Sequence, residues 1–125
     1  LYATAGVRPR IIEIGVFNTT ATACVVALQS FSTTGTQGTA ISVLPTFDLE
    51  QAATATPKNG HTVGPTITAG VHRQASLGAA IGSGVIWTWA DNSPFEIAAA
   101  TTNGTGITCP TGTGQILDFY ISWLE

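Results

Sequence analysis

The sequence predicts an all-β domain, an antiparallel β-sandwich of jelly-roll-like form, and three observations lead to it. Near the end of the chain Leu117, Phe119, Ile121 and Trp123 alternate with Asp118, Tyr120 and Ser122, the period-2 pattern of a strand with one buried face. Val85-Ile86-Trp87-Thr88-Trp89 is built from β-branched and aromatic residues, which suit a pleated, half-buried surface. Alternation sets Val85, Trp87 and Trp89 on one face and Ile86 and Thr88 on the other. Such runs recur about every 8–12 residues with turn formers between them, the rhythm of sandwiches and barrels.

Residues 1–9 have no clean period and carry Gly6 and Pro9; we read them as an extended N-terminal arm outside the core, and residues 10–125 as a single β-sandwich domain. In residues 10–18, RIIEIGVFN, the sidedness of a strand puts Ile12, Ile14 and Val16 together and Ile11, Glu13, Gly15 and Phe17 opposite. A turn at 19–22 and a strand at 23–31 follow, close enough for an antiparallel hairpin. Residues 39–47 read as a third strand, with Pro45 at an edge or bulge. Asp48-Leu49-Glu50-Gln51 has the form of a capping box, so at most one short helix is expected, near residues 49–55. Lys58-Asn59-Gly60 is a turn signal, and 62–69 and 71–77 are weaker strands. Residues 81–90 and 95–101 read as a hairpin around Ala90-Asp91-Asn92-Ser93-Pro94. A short strand at 107–109 ends at Pro110, and the strand at 115–124 is expected in the middle of a sheet.

The 125 residues suffice for one domain with a real core. Hydrophobic residues make up an ordinary 44%, but charged residues only 9%, against a usual value of about 25%. No charged side chain occurs between Glu13 and Asp48. Charge keeps freely diffusing monomers soluble, so a chain this poor in it is expected to cover its surface with protein, in an oligomer or a lattice. The net charge is −3, and the permanent cations are Arg8, Arg10, Lys58 and Arg73. They form no basic stripe, which argues against nucleic-acid binding. The uncharged stretch 74–90 is broken by Gly78, Gly82, Ser83 and Gly84 and falls short of the roughly 20 apolar residues of a membrane span. No signal-peptide pattern is visible. Cys24 and Cys109 permit one disulfide without demanding it, and reduced, cytosolic synthesis is expected.

The residue types that carry chemistry do not assemble into a motif, and we expect no catalytic, cofactor-binding or metal-binding residues. His61 and His72 lie in no recognisable nucleophile–base signature, and Cys24–His72 or Cys109–His61 pairs carry none either. The seven carboxylates are scattered singly, so neither a metal cluster nor the paired acids of a glycosidase is forced by spacing. The glycine-rich pieces at 81–84 and 104–114 lack the Lys-Ser/Thr of a phosphate loop and read as turns. Asn18-Thr19-Thr20 and Asn103-Gly104-Thr105 match the glycosylation acceptor pattern, as chance allows in a threonine-rich chain. Trp87, Trp89 or Tyr120 could form a sugar-binding platform, although alternation places them more simply in a core.

Arg8-Pro9-Arg10-Ile11-Ile12-Glu13-Ile14-Gly15-Val16-Phe17, Gly84-Val85-Ile86-Trp87-Thr88-Trp89 and the closing strand ending in Trp123-Leu124-Glu125 together resemble the head-decoration, or cement, proteins of tailed bacteriophages. The resemblance implies a jelly-roll-like sandwich, assembled as a trimer, that docks on the outer surface of the capsid and clamps the major capsid protein. It also implies a location on the virion, assembly in the host cytoplasm, terminal arms that reach neighbouring subunits, and no enzymatic activity. The competing expectation is a trimeric receptor-binding or fibre-tip domain that recognises host glycans, which an exposed aromatic cleft beside Trp87 or Trp89 would favour. A small metal-holding barrel enzyme of the cupin kind is disfavoured by two isolated histidines.

Overall fold

Two three-strand-wide antiparallel sheets pack face to face in the computed structural model, which describes residues 1–44, 52–112 and 115–125. The first sheet is organised around β1 (Arg10–Asn18). Along one edge of β1 runs β9 (Leu117–Leu124); along the other lie β6 (Gly84–Thr88) and β7 (Phe95–Glu96), end to end. The second sheet places β2 (Cys24–Phe31) between β5 (Arg73–Leu77) and β8 (Gly104–Thr111). A small ribbon pairs β3 (Thr39–Ala40) with β4 (Lys58–Asn59).

The core lies between the inner faces of β1 and β2. Ile14 is flanked by Trp87 and Ile121, Val16 by Val85 and Phe119, and Ile11 by Phe95 and Trp123. Val26 and Leu28 face them from β2, with Ile107 beside Leu28. Ile11, Ile14, Val16, Val26 and Leu28 are fully buried, and truncating any one to alanine would cost about 2–5 kcal/mol. Val85, Trp87 and Trp89 all join this core, as their alternation implied. The expected sidedness of β1 is corrected at one point. Its register against β9 shifts between Ile11 and Glu13, a bulge that makes Ile12 the extra residue and turns Ile11 inward in its place.

Residues 1–3 are extended but do not stand outside the core. The Leu1 amine donates to the Thr105 carbonyl at 2.8 Å, Thr105 N–H donates back to Leu1 at 2.9 Å, and Ala3 N–H reaches Asn103. On its other side Tyr2 exchanges both backbone bonds with Thr56, each 3.0 Å. Leu1, Tyr2 and Ala3 are buried, so the segment continues the second sheet beyond β8. Pairing on both sides satisfies its polar backbone, and this holds an aperiodic stretch in place.

Neither expected hairpin forms. β1 and β2 lie in different sheets, because each has a full apolar face and each becomes the centre of its own sheet. β6 and β7 both pair with β1 rather than with each other, the chain looping out through a turn closed by Ser93 N–H on the Ala90 carbonyl. β9 stands at an edge, pairing with β1 alone among the described residues. β8 runs through Pro110 to Thr111, and its register against β2 shifts there, which is where an edge strand tolerates proline. Residues 62–69 contribute only the isolated bridges of Val63 to Thr36 and Ile67 to Phe31. The third strand shrinks to Thr39–Ala40, with 45–47 outside the described residues. Of the short helix expected near 49–55, residues 49–51 lie outside the described residues and residues 52–55 are not helical. Their amides are held instead by Glu125: Thr54 N–H and Ala55 N–H donate to its carboxylate at 2.7 and 2.8 Å, the Thr54 hydroxyl joins them, and Trp123 Nε1–H adds a bond of 2.9 Å.

The corner between the sheets is made by Asn18, a fully buried polar residue. Its Nδ2 donates to the Thr22 carbonyl at 2.8 Å and the Gly78 carbonyl at 3.0 Å, and its Oδ1 accepts from the Thr20 amide and hydroxyl at 2.9 and 2.8 Å. Its backbone adds bonds to Ser83 and Gly82. One side chain thus ties the β1–β2 corner to the β5–β6 turn. Asn18→Ala would orphan these groups in the interior and is expected to destabilise the fold by about 2–4 kcal/mol in denaturant titrations.

The Glu125 contacts give a pH prediction. Burial pushes its carboxyl up, but the hydrogen bonds from Thr54, Trp123 and Ala55 outweigh burial and hold it below the ordinary 4.5. A carboxyl lowered on folding adds stability that is present above its unfolded value and is lost as pH falls through its folded one. Thermal melts of the wild type are therefore expected to drop more steeply than those of Glu125→Gln between about pH 5 and pH 3.

Candidate functional site

The residues that sequence reading singled out for chemistry are dispersed by the fold. His72 immediately precedes β5; Ser30 Oγ lies 2.8 Å from its Nε2 and the Phe95 ring meets it edge-on at 4.5 Å. A hydroxyl and an imidazole at this distance are the first two parts of a nucleophile–base arrangement, which sequence spacing did not reveal. A third group that would orient the imidazole is not among the partners of His72 in the described residues. His61 lies elsewhere, with Nε2 2.9 Å from the Tyr2 hydroxyl. Neither histidine meets a cysteine. Among the described residues no three His, Cys, Asp or Glu side chains converge.

Trp87 is buried to 8% exposure. Trp89 is roofed by the Arg73 guanidinium, 5.5 Å from its ring, and packs on Phe95 at 5.8 Å. The aromatic cleft that glycan recognition would use is therefore not formed at these residues. Asn18 is enclosed and fully hydrogen-bonded, so its acceptor pattern is structural; Asn103 donates to the Ala98 carbonyl at 3.1 Å within its own turn.

Sequence reading missed a cavity of about 370 Å³ in the gap between the edges of the two sheets. Tyr2, His61, Ile67, Ile107, Phe119 and Ile121 are among the residues that line it. Phe119 belongs to the inward row of β9, yet remains 42% exposed, because it faces this gap instead of the opposite sheet. The polar end is Tyr2 and His61, with Lys58 at the rim. Burial lowers the His61 pKa, and the positive charges of the Leu1 amine and Lys58 lower it further. A neutral imidazole at neutral pH results. No sequence signal pointed here, since the cavity depends on residues 1–3 docking beside β8.

The outer face of the β1 sheet is the second surface of note. Ile86, Gly15 and Tyr120 stand in one row across β6, β1 and β9, and Gly84, Phe17 and Asp118 in the next. The Tyr120 ring lies over Gly15 and the Phe17 ring over Gly84: a Cβ on either glycine would come within 2.2 and 2.3 Å of those rings. The two rings stack at 6.4 Å and 26°. Tyr120 donates its hydroxyl to Glu13 at 2.7 Å, and Ile86 is 53% exposed beside them. Ile86, Phe17 and Tyr120 thus form an apolar and aromatic patch on this face, bordered by Glu13 and Asp118 and, at the far end of β1, by the Arg10–Glu96 pair.

No family model, no curated protein and no solved structure matches the chain.

The electrostatics of the cavity can be checked directly. In Lys58→Gln the His61 pKa, followed by NMR titration, is expected to rise while staying below 6.5, because burial is the larger cause. An unchanged value would remove Lys58 from the cavity's field.

Proposed function

We propose that the chain is a non-enzymatic viral structural protein, a jelly-roll-like β-sandwich that decorates the outside of a bacteriophage capsid as a homotrimer against the major capsid protein. The observation that carries this reading is the outer face of the β1 sheet. A solvent-facing sheet surface ordinarily alternates to polar residues; here Ile86 stands on it beside the rings of Phe17 and Tyr120, which lie over glycines. An exposed apolar and aromatic patch suits burial against protein, and the 9% charged composition points the same way.

Two further points support it. The segments that resemble decoration proteins map onto β1, β6 and β9, the strands that build this face. Closed symmetry repeats one modest contact in every subunit, so avidity on a lattice does not require a single strong site. We assign the face to contacts between sister copies, leaving the loops at the ends of the sandwich for the capsid floor. The glycan-binding alternative would have to use Tyr120 rather than Trp87, which is buried, or Trp89, which lies under Arg73.

Light scattering on a sizing column is expected to give three times the monomer mass for the wild type and a monomer for Ile86→Lys. The trimer should cosediment with bare phage capsids and raise their disruption temperature. A monomer at every concentration, or a trimer indifferent to Ile86→Lys, would overturn the assignment of this face.

A further inference from the structure

We propose that Cys24 and Cys109 are a reactive thiol pair that closes, by exchange with a low-molecular-mass disulfide, into a covalent staple between β2 and β8. The inference stands independently of the function proposed above.

The geometry comes from strand register. Leu28 lies opposite Ile107, and both face the core. Counting by twos along each strand brings Val26 and Cys24 to the same face of β2, and Cys109 to the same face of β8. The register then slips: Ala27 is opposite Thr108, but Val25 is opposite Thr111. Cys109 and Pro110 therefore share the place opposite Val26, one inward position from Cys24. The bulge sets Cys109 diagonally across from Cys24 on the same face. The thiols are close enough to affect each other. Burial pushes the Cys109 thiol up, and the charge and hydrogen bond of the Cys24 side chain push it further. Both are free.

Their environments differ in the way a two-step exchange requires. Cys109 is exposed, while Cys24 is buried at 4% exposure behind it. Only Cys109 can meet an external disulfide. Its thiolate attacks one sulfur of oxidised glutathione, forming a mixed disulfide and releasing one glutathione thiolate. The Cys24 thiolate then attacks Cys109 Sγ, forming the intrachain bond and releasing the second glutathione. Two protein thiols lose two electrons and two protons, and one glutathione disulfide becomes two thiols. Because the Cys109 thiolate is scarce at neutral pH, the first step should accelerate with rising pH. The bond would join the central strand of the second sheet to its edge strand, closing a loop of most of the chain in the unfolded state.

The test is intact-mass spectrometry of the folded protein after incubation with oxidised glutathione, with thiols counted after unfolding. The wild type is expected to lose two hydrogens in mass, to retain no glutathione and to titrate no thiol; its denaturation midpoint should rise and fall back on reduction. Cys24→Ala should stop at a stable glutathione adduct on Cys109, and Cys109→Ala should remain unmodified while folded. Circular dichroism confirms that each variant is folded before it is scored. A wild type that keeps glutathione on Cys109 with Cys24 still free, that cross-links only between chains, or that does not react at all would overturn the proposal.

Discussion

The fold depends on how Asn18 turns the chain from one sheet into the other. β1 and β2 each carry apolar residues that need cover, and a hairpin would have put both in one sheet with nothing facing them. Asn18 sends the chain across the sandwich instead, satisfying four partners with one amide. It also grips Gly78, in the turn through which β5 crosses back to β6, so both crossings on that side are fixed by one buried group. A polar group in this position is costly unless every bond is made, and here every bond is made. On the opposite side of the sandwich the cavity lies between β8 and β9.

Much of the architecture was legible because burial writes itself into period 2. Leu117, Phe119, Ile121 and Trp123 do form the inward row of β9, and Val85, Trp87 and Trp89 that of β6 and its continuation. What alternation does not encode is the partner. β6 and β7 read equally well as a hairpin or as two pieces laid along one neighbour, and only the availability of the β1 edge decides. Ile12 shows a second limit: one inserted residue exchanges the faces on either side of it, and RII offers no local sign of where the insertion falls. Residues 1–3 show a third, since a short segment held by main-chain bonds needs no pattern of its own.

The sites follow the same division. Scattered residue types say nothing of which side chains the strands bring together. Ser30 meets His72 only because β2 and β5 are neighbours, and Tyr2 meets His61 only because the first residues dock beside β8. The glycines at 15 and 84 are seats for the rings of Tyr120 and Phe17, which cover the backbone that a missing side chain exposes. A sheet face can thereby be kept smooth without being made polar.

The docking of residues 1–3 also governs when the chain can fold. Leu1 exchanges bonds with Thr105, 104 positions away, and β1 finds its longest partner in β9 at the far end. A ribosome delivers the first halves of these pairs long before the second, so the early strands must wait with their apolar faces unpaired. Folding dominated by such distant contacts is slow. The molecule completes its core only once β9 has emerged, and during that interval its edges are open to neighbouring nascent chains.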